Sequence, residues 1–109
     1  MVFPVSAALL DALVLSVVSN EDTYGYKITQ EIREAMEMSE STLYPVLRRL
    51  MKNELLLSYD QEYMGRNRRY YQITEKGKEQ LKIYREEWLI YKEKINTLIS
   101  KHTDKGVNS

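Results

Sequence analysis

The chain has 109 residues, no cysteine, one histidine, and 16 basic side chains balanced by 16 acidic ones. That length makes one domain with a substantial core, and the lack of cysteine excludes disulfide scaffolds and thiolate zinc sites. No run approaches the ~20 apolar residues that a membrane-spanning helix needs, and the apolar opening stretch lacks a basic flank and a cleavage signal, so the expected location is the cytoplasm.

The balanced charge is unevenly sorted. Residues 1–40 carry two basic against seven acidic side chains, residues 41–78 eight against four, and residues 79–109 six against five. A positive middle in a neutral chain is a focused patch, the pattern of a protein that meets a polyanion over one surface.

From Val5 to Val18 nearly every position is apolar apart from Asp11, which predicts a helix buried over most of its circumference. It stops at the polar turn Asn20-Glu21-Asp22. Thr23 is placed to cap a second helix with Ile28, Ile32, Ala35 and Met36 at 3–4 spacing. Gly25 inside that helix costs about 1 kcal/mol relative to Ala, so it implies close packing against a neighbour. Ser39 or Ser41 caps a third helix, whose apolar face is Leu43, Val46, Leu47, Leu50 and Met51. Pro45 lacks an N–H and fits the first turn, which favours a start close to Ser41; Asn53 ends the helix.

The period then changes to two. Leu55, Leu57 and Tyr59 alternate, as do Arg69, Tyr71 and Ile73, and Met64-Gly65-Arg66-Asn67 lies between them, which predicts a β-hairpin. Thr74 caps a long last helix with Glu75 in its first turn, where a carboxylate suits the helix dipole. The helix is expected to reach about Ser100. Helix, helix, helix, hairpin, long helix is a mainly α fold: a winged helix-turn-helix domain over residues 1–74, a C-terminal dimerisation helix over 75–100, and a flexible tail over 101–109.

With its apolar face turned inward, the third helix leaves Ser41, Thr42, Tyr44, Pro45, Arg48 and Arg49 outward. Short hydroxyls at a helix N-terminus approach bases or phosphates closely, Tyr44 can bond a phosphate, and Arg48 can bond a phosphate or a guanine edge. On its own this pattern also describes an ordinary helix with a solvated basic face. The second group is Arg66, Asn67 and Arg68 beside Gly65, with Arg69 following. Charge on a hairpin edge blunts strand pairing, but three arginines within four residues exceed that need and supply planar phosphate donors. Of Arg68 and Arg69, one faces outward and the other across the hairpin. Tyr24 and Lys27, at the start of the second helix, join the candidate DNA-binding set; Tyr24 and Tyr26 read equally well as half-buried core. Tyr70 and Tyr71 fall on opposite strand faces.

The last helix carries Leu81, Tyr84, Trp88, Tyr91, Ile95 and Leu98, spaced 3, 4, 3, 4, 3 as in a heptad seam. A seam this long and aromatic calls for a partner, most simply a second copy related by a two-fold axis, with the first helix buried partly inward and partly against that copy. His102 has no second ligand at metal spacing. No nucleophile–base–acid set, phosphate loop or dinucleotide motif occurs, so neither a metal, a cofactor nor an enzymatic activity is expected.

Tyr24-Gly25-Tyr26, the stretch Ser41-Thr42-Leu43-Tyr44-Pro45-Val46-Leu47-Arg48-Arg49-Leu50, Gly65-Arg66 with Arg69-Tyr70-Tyr71, and Ile73-Thr74-Glu75-Lys76-Gly77 resemble the PadR family of bacterial transcriptional regulators, from about Leu9 to Trp88. The single C-terminal helix resembles its compact branch. The resemblance implies a homodimeric winged-helix repressor of a palindromic operator, often its own promoter. Multidrug-sensing members of that branch have a tryptophan on the last helix, facing its mate across a flat hydrophobic pore where planar drugs stack. Trp88 stands at the matching place, which implies a small aromatic or hydrophobic effector. The rival reading is a winged helix used as a protein-interaction module without DNA, since fold does not fix function.

Overall fold

A computed structural model describes residues 5–107, with side-chain positions through residue 101. The elements run α1 (Ala7–Asn20), β1 (Thr23–Tyr24), α2 (Gly25–Arg33), α3 (Glu40–Lys52), β2 (Leu56–Tyr63), β3 (Arg66–Ile73) and α4 (Glu75–Val107). The strands form an antiparallel sheet in the order β1-β3-β2. Val14, Leu15 and Val18 of α1 meet Ile28 and Ile32 of α2, Leu43, Val46, Leu47 and Leu50 of α3, and Leu56 and Tyr71 of the sheet in one core.

Ser6 caps α1, its hydroxyl accepting from the Leu9 amide at 3.1 Å. Asp11 is buried in that helix, its carboxylate ion-paired with Arg49 of α3. One element begins differently from the expectation. Thr23 does not cap α2: it is a buried strand residue paired with Tyr71, because the chain must stay extended through Tyr24 to add β1 to the sheet. The helix starts at Gly25 and ends at Arg33, leaving Ala35 and Met36 in a turn whose amides return to the Ile32 carbonyl. Of the two expected caps for α3, Ser39 is the one used: the helix starts at Glu40 and the Ser39 hydroxyl accepts from the Thr42 amide at 3.2 Å. Pro45 therefore lies in the second turn, and the Ser41 carbonyl lacks its usual i+4 donor.

Past Asn53 the chain reverses through Glu54 at φ 62°, with amide bonds from Glu54 to Met51 and from Leu55 to Leu50 closing the helix end. The hairpin is tighter than expected. Its turn is Met64-Gly65 alone, at φ 52° and 80°, and Tyr63 pairs with Arg66, so Arg66 and Asn67 belong to β3. Positive φ at both central residues is the two-residue turn whose twist suits paired strands, and Gly65 adopts it without penalty.

Thr74 joins the sheet to α4. Its hydroxyl accepts from the Gly77 amide at 2.9 Å and lies 2.8 Å from the Glu54 carbonyl and 3.1 Å from the Leu55 carbonyl. A Cβ on Gly77 would sit 2.2 Å from the Leu55 oxygen, so only glycine lets α4 cross here. From this point α4 runs to Val107 rather than ending near Ser100. No proline or glycine interrupts the sequence before Gly106, so the polar segment after Lys101 continues the helix; residues 108–109 of the expected flexible tail lie outside the described residues. At 1.5 Å per residue, 33 residues make an arm of about 50 Å, which explains overall extents of 64 × 28 × 20 Å.

Candidate nucleic-acid interface

The third helix presents the face its pattern describes. Leu43, Val46, Leu47 and Leu50 are buried, while Ser41, Thr42, Tyr44, Pro45 and Arg48 are exposed. Ser39, Ser41 and Thr42 form a hydroxyl cluster at the N-terminus of α3, with oxygens 3.0 Å apart. Arg49 turns to the other side of the helix. Its bond to Asp11 raises its pKa, fixing the charge and leaving it outside the exposed basic set.

Tyr44 leans back across the start of α2. A Cβ on Gly25 would lie 3.1 Å from the Tyr44 hydroxyl, so Tyr44 is the neighbour whose close approach this glycine admits. Tyr24 of β1, Gly25 and Tyr26 of α2, Tyr44 and Arg48 of α3, and Arg68 and Arg69 of β3 line a groove of about 540 Å³ where these elements meet. Tyr71, at the groove's inner wall, is buried, and that burial raises the pKa of its hydroxyl. The arginines at its rim divide as strand alternation requires. Arg69 reaches across the hairpin to Asp60 at 3.4 Å. Arg68 stands on the outer face, its guanidinium carbon 3.8 Å from the Tyr63 ring centre and 4.0 Å from that of Tyr24. Arg66 and Asn67 are exposed beside the turn. Lys27 is exposed but bonded to Glu21 at 2.9 Å, a contact that raises its pKa.

The outer face of the sheet is tyrosine-rich in a way the sequence reading did not anticipate. Tyr59 and Tyr70 stack at 5.6 Å, Tyr70 meets Tyr24 edge-on at 5.7 Å, and Tyr59 donates to Asp22 at 2.7 Å. Assigning Met64-Gly65 as a two-residue turn would have put Tyr63 and Arg68 on one face from the alternation alone.

A second cavity, of about 470 Å³, lies between α1 and α4, lined by Ser6, Ala8, Leu9, Ala12, Tyr84, Glu87, Trp88 and Tyr91. The heptad positions separate along α4. Leu81 is buried in the protomer's own core and Tyr84 is partly buried against it, whereas Trp88 (39% exposed), Tyr91, Ile95 and Leu98 are exposed. Among the described residues, no three His, Asp or Glu side chains gather as a metal would require, and no helix is long and apolar enough to cross a membrane.

Two helices joined by the short connection 34–39, a β wing and a long terminal helix make a winged-helix protein of the transcription-regulator class. The chain belongs to the PadR-like family of transcriptional regulators, whose profile matches residues 14–83. It is 43% identical to smu.1704 from Streptococcus mutans, with a TM-score of 0.83 over 91% of this chain and 93% of that one. A PadR family transcription regulator from Clostridium difficile is 34% identical, with a TM-score of 0.77 over 83% of this chain and 97% of its own. An uncharacterised protein of Lysinibacillus sphaericus is 38% identical over 92 residues, which is 80% of this chain and 84% of that protein. Members of this family are transcriptional regulators, not enzymes.

Proposed function

We propose that this protein is a homodimeric, sequence-specific DNA-binding repressor acting on a dyad-symmetric operator, with a small hydrophobic effector relieving repression from the dimer core. The observation that carries the reading is the exposed face of α3, where Ser41 and Thr42 stand exposed at the helix start and Tyr44 and Arg48 line a groove shared with Arg68 and Arg69 of the wing. Hydroxyls and a guanidinium on a helix suit base edges in the major groove, and wing arginines suit the adjoining phosphates. A protein-interaction module would need an apolar or acidic face there.

Dimerisation is supported by Trp88, Tyr91, Ile95 and Leu98, an exposed apolar seam that one protomer leaves uncovered. For a dyad-symmetric site the reading expects the two copies of α3 about one DNA turn, roughly 34 Å, apart across the two-fold axis. An effector in the α1–α4 cavity, against Trp88 and Tyr84, acts if it binds one crossing of the α4 helices better than the other. Double substitution Ile95→Lys with Leu98→Lys tests the assembly by sedimentation velocity: the reading expects a dimer to become a monomer and to lose operator binding. A wild-type chain that sediments as a monomer at micromolar concentration contradicts it.

A further inference from the structure

We infer that Tyr63 and Tyr24 are positioning residues that hold the Arg68 guanidinium against their rings, so that the wing meets DNA with this arginine already aimed. The inference deepens the DNA-binding reading and rests on it. The guanidinium carbon lies 3.8 Å from the Tyr63 ring centre and 4.0 Å from that of Tyr24, so two rings hold it at once. Among the described residues none of its N–H donors is bonded to a protein acceptor. A guanidinium held against two rings keeps those donors for a planar or bidentate acceptor such as a phosphate.

The neighbouring arginines isolate the effect. Arg69 is engaged by Asp60, and Arg66 at the turn stands exposed with no ring upon it. Arg68 is therefore the wing cation whose geometry is fixed before DNA arrives, and it borders the groove that Arg48 and Tyr44 line from α3. An unstacked arginine must lose its rotamer freedom on binding, and ordering one such side chain costs enough to weaken affinity about fivefold. The ring, not the phenol, does this work.

Fluorescence anisotropy with a labelled duplex from upstream of the coding sequence tests it, comparing wild type with Tyr63→Phe, Tyr63→Leu, Arg68→Ala and the Arg68→Ala, Tyr63→Leu double variant. Tyr63→Phe is expected to bind as wild type. Tyr63→Leu is expected to bind about three- to fivefold more weakly with an unchanged salt slope, since cation–π stacking is removed but no charge is lost. In the Arg68→Ala background, Tyr63→Leu is expected to have no further effect, because its action passes through Arg68. Equal or tighter binding by Tyr63→Leu overturns the inference, as does an undiminished Tyr63→Leu penalty without Arg68. A wild type that binds no duplex overturns the DNA-binding reading beneath it, and that failure is recognisable because every variant is then silent. Matching thermal unfolding midpoints for wild type and Tyr63→Leu confirm that the fold is intact.

Discussion

Gly77→Ala puts the junction between the winged domain and α4 to a quantitative test. The added methyl would stand 2.2 Å from the Leu55 carbonyl oxygen and 2.7 Å from Ile73 Cγ1. A carbon–oxygen contact settles at about 3.3 Å or more, so the shortfall is roughly 1 Å against backbone. The carbonyl is not free to swing away, because it accepts from the Thr74 amide at 3.1 Å and the Thr74 hydroxyl sits 3.1 Å from it. The first turn of α4 must lift instead. Overpacking of this kind costs about 1–3 kcal/mol, and weakening the two Thr74 contacts adds about 1 kcal/mol each. Replacing glycine by alanine within a helix returns about 1 kcal/mol. The net loss is about 2–4 kcal/mol, and at about 4–8 °C per kcal/mol a midpoint drop of about 8 °C or more is expected. Thermal unfolding followed by circular dichroism at fixed protomer concentration reads it, since a dimer's midpoint depends on concentration. An unchanged or raised midpoint, as helix propensity alone would give, refutes the account of this junction.

Three further outcomes follow from the same geometry. Asp11→Asn removes the charge that Arg49 of α3 faces, and because Arg49 is partly solvated the expected loss is about 1–2 kcal/mol in a urea titration, not the larger value for a fully buried pair; no loss would mean that the pair does not tie α1 to α3. Arg66→Ala with Arg68→Ala should lower the slope of log affinity against log salt by about 1.8, so that between 50 and 200 mM salt the wild type loses about twelvefold more affinity than the variant; parallel salt slopes would remove the wing from the interface. The hydroxyl pKa values of Tyr59, Tyr71 and Tyr84 are raised, through the bond to Asp22 for Tyr59 and through burial for the other two. The folded chain thus keeps protons that the unfolded chain releases near pH 10, so stability is complete below that pH and falls as pH rises above it. Unfolding midpoints together with tyrosinate absorbance across pH 8–12 check this, and a midpoint that stays level beyond pH 10 contradicts it.

Periodicity carried most of the architecture. The inward set Leu43, Val46, Leu47 and Leu50 defines which side of α3 is exposed, and alternation puts Tyr70 and Tyr71 on opposite faces, of which the structure buries that of Tyr71. These are properties of one element read along itself. What stayed hidden depends on two elements meeting. Thr23 has the chemistry of a cap, but a two-residue strand is too short to show a period, and only the place of β3 beside it makes it a strand. Asp11 reads as a lone charge on an apolar helix until Arg49, 38 positions away, is brought beside it. The Tyr24–Arg68–Tyr63 cluster takes two pairings at once: Tyr63 lies diagonal to Arg68 across the hairpin, and Tyr24 reaches it only because β1 joins the sheet opposite Tyr70.

The most direct test of the central claim is fluorescence anisotropy of wild-type protein on its own upstream duplex and on a scrambled duplex of equal length, across a salt series. A specific regulator is expected to prefer the upstream duplex by about 10³ or more, with steep salt dependence on both. Failure to bind either duplex at low salt would contradict the assignment of α3 and the wing to DNA.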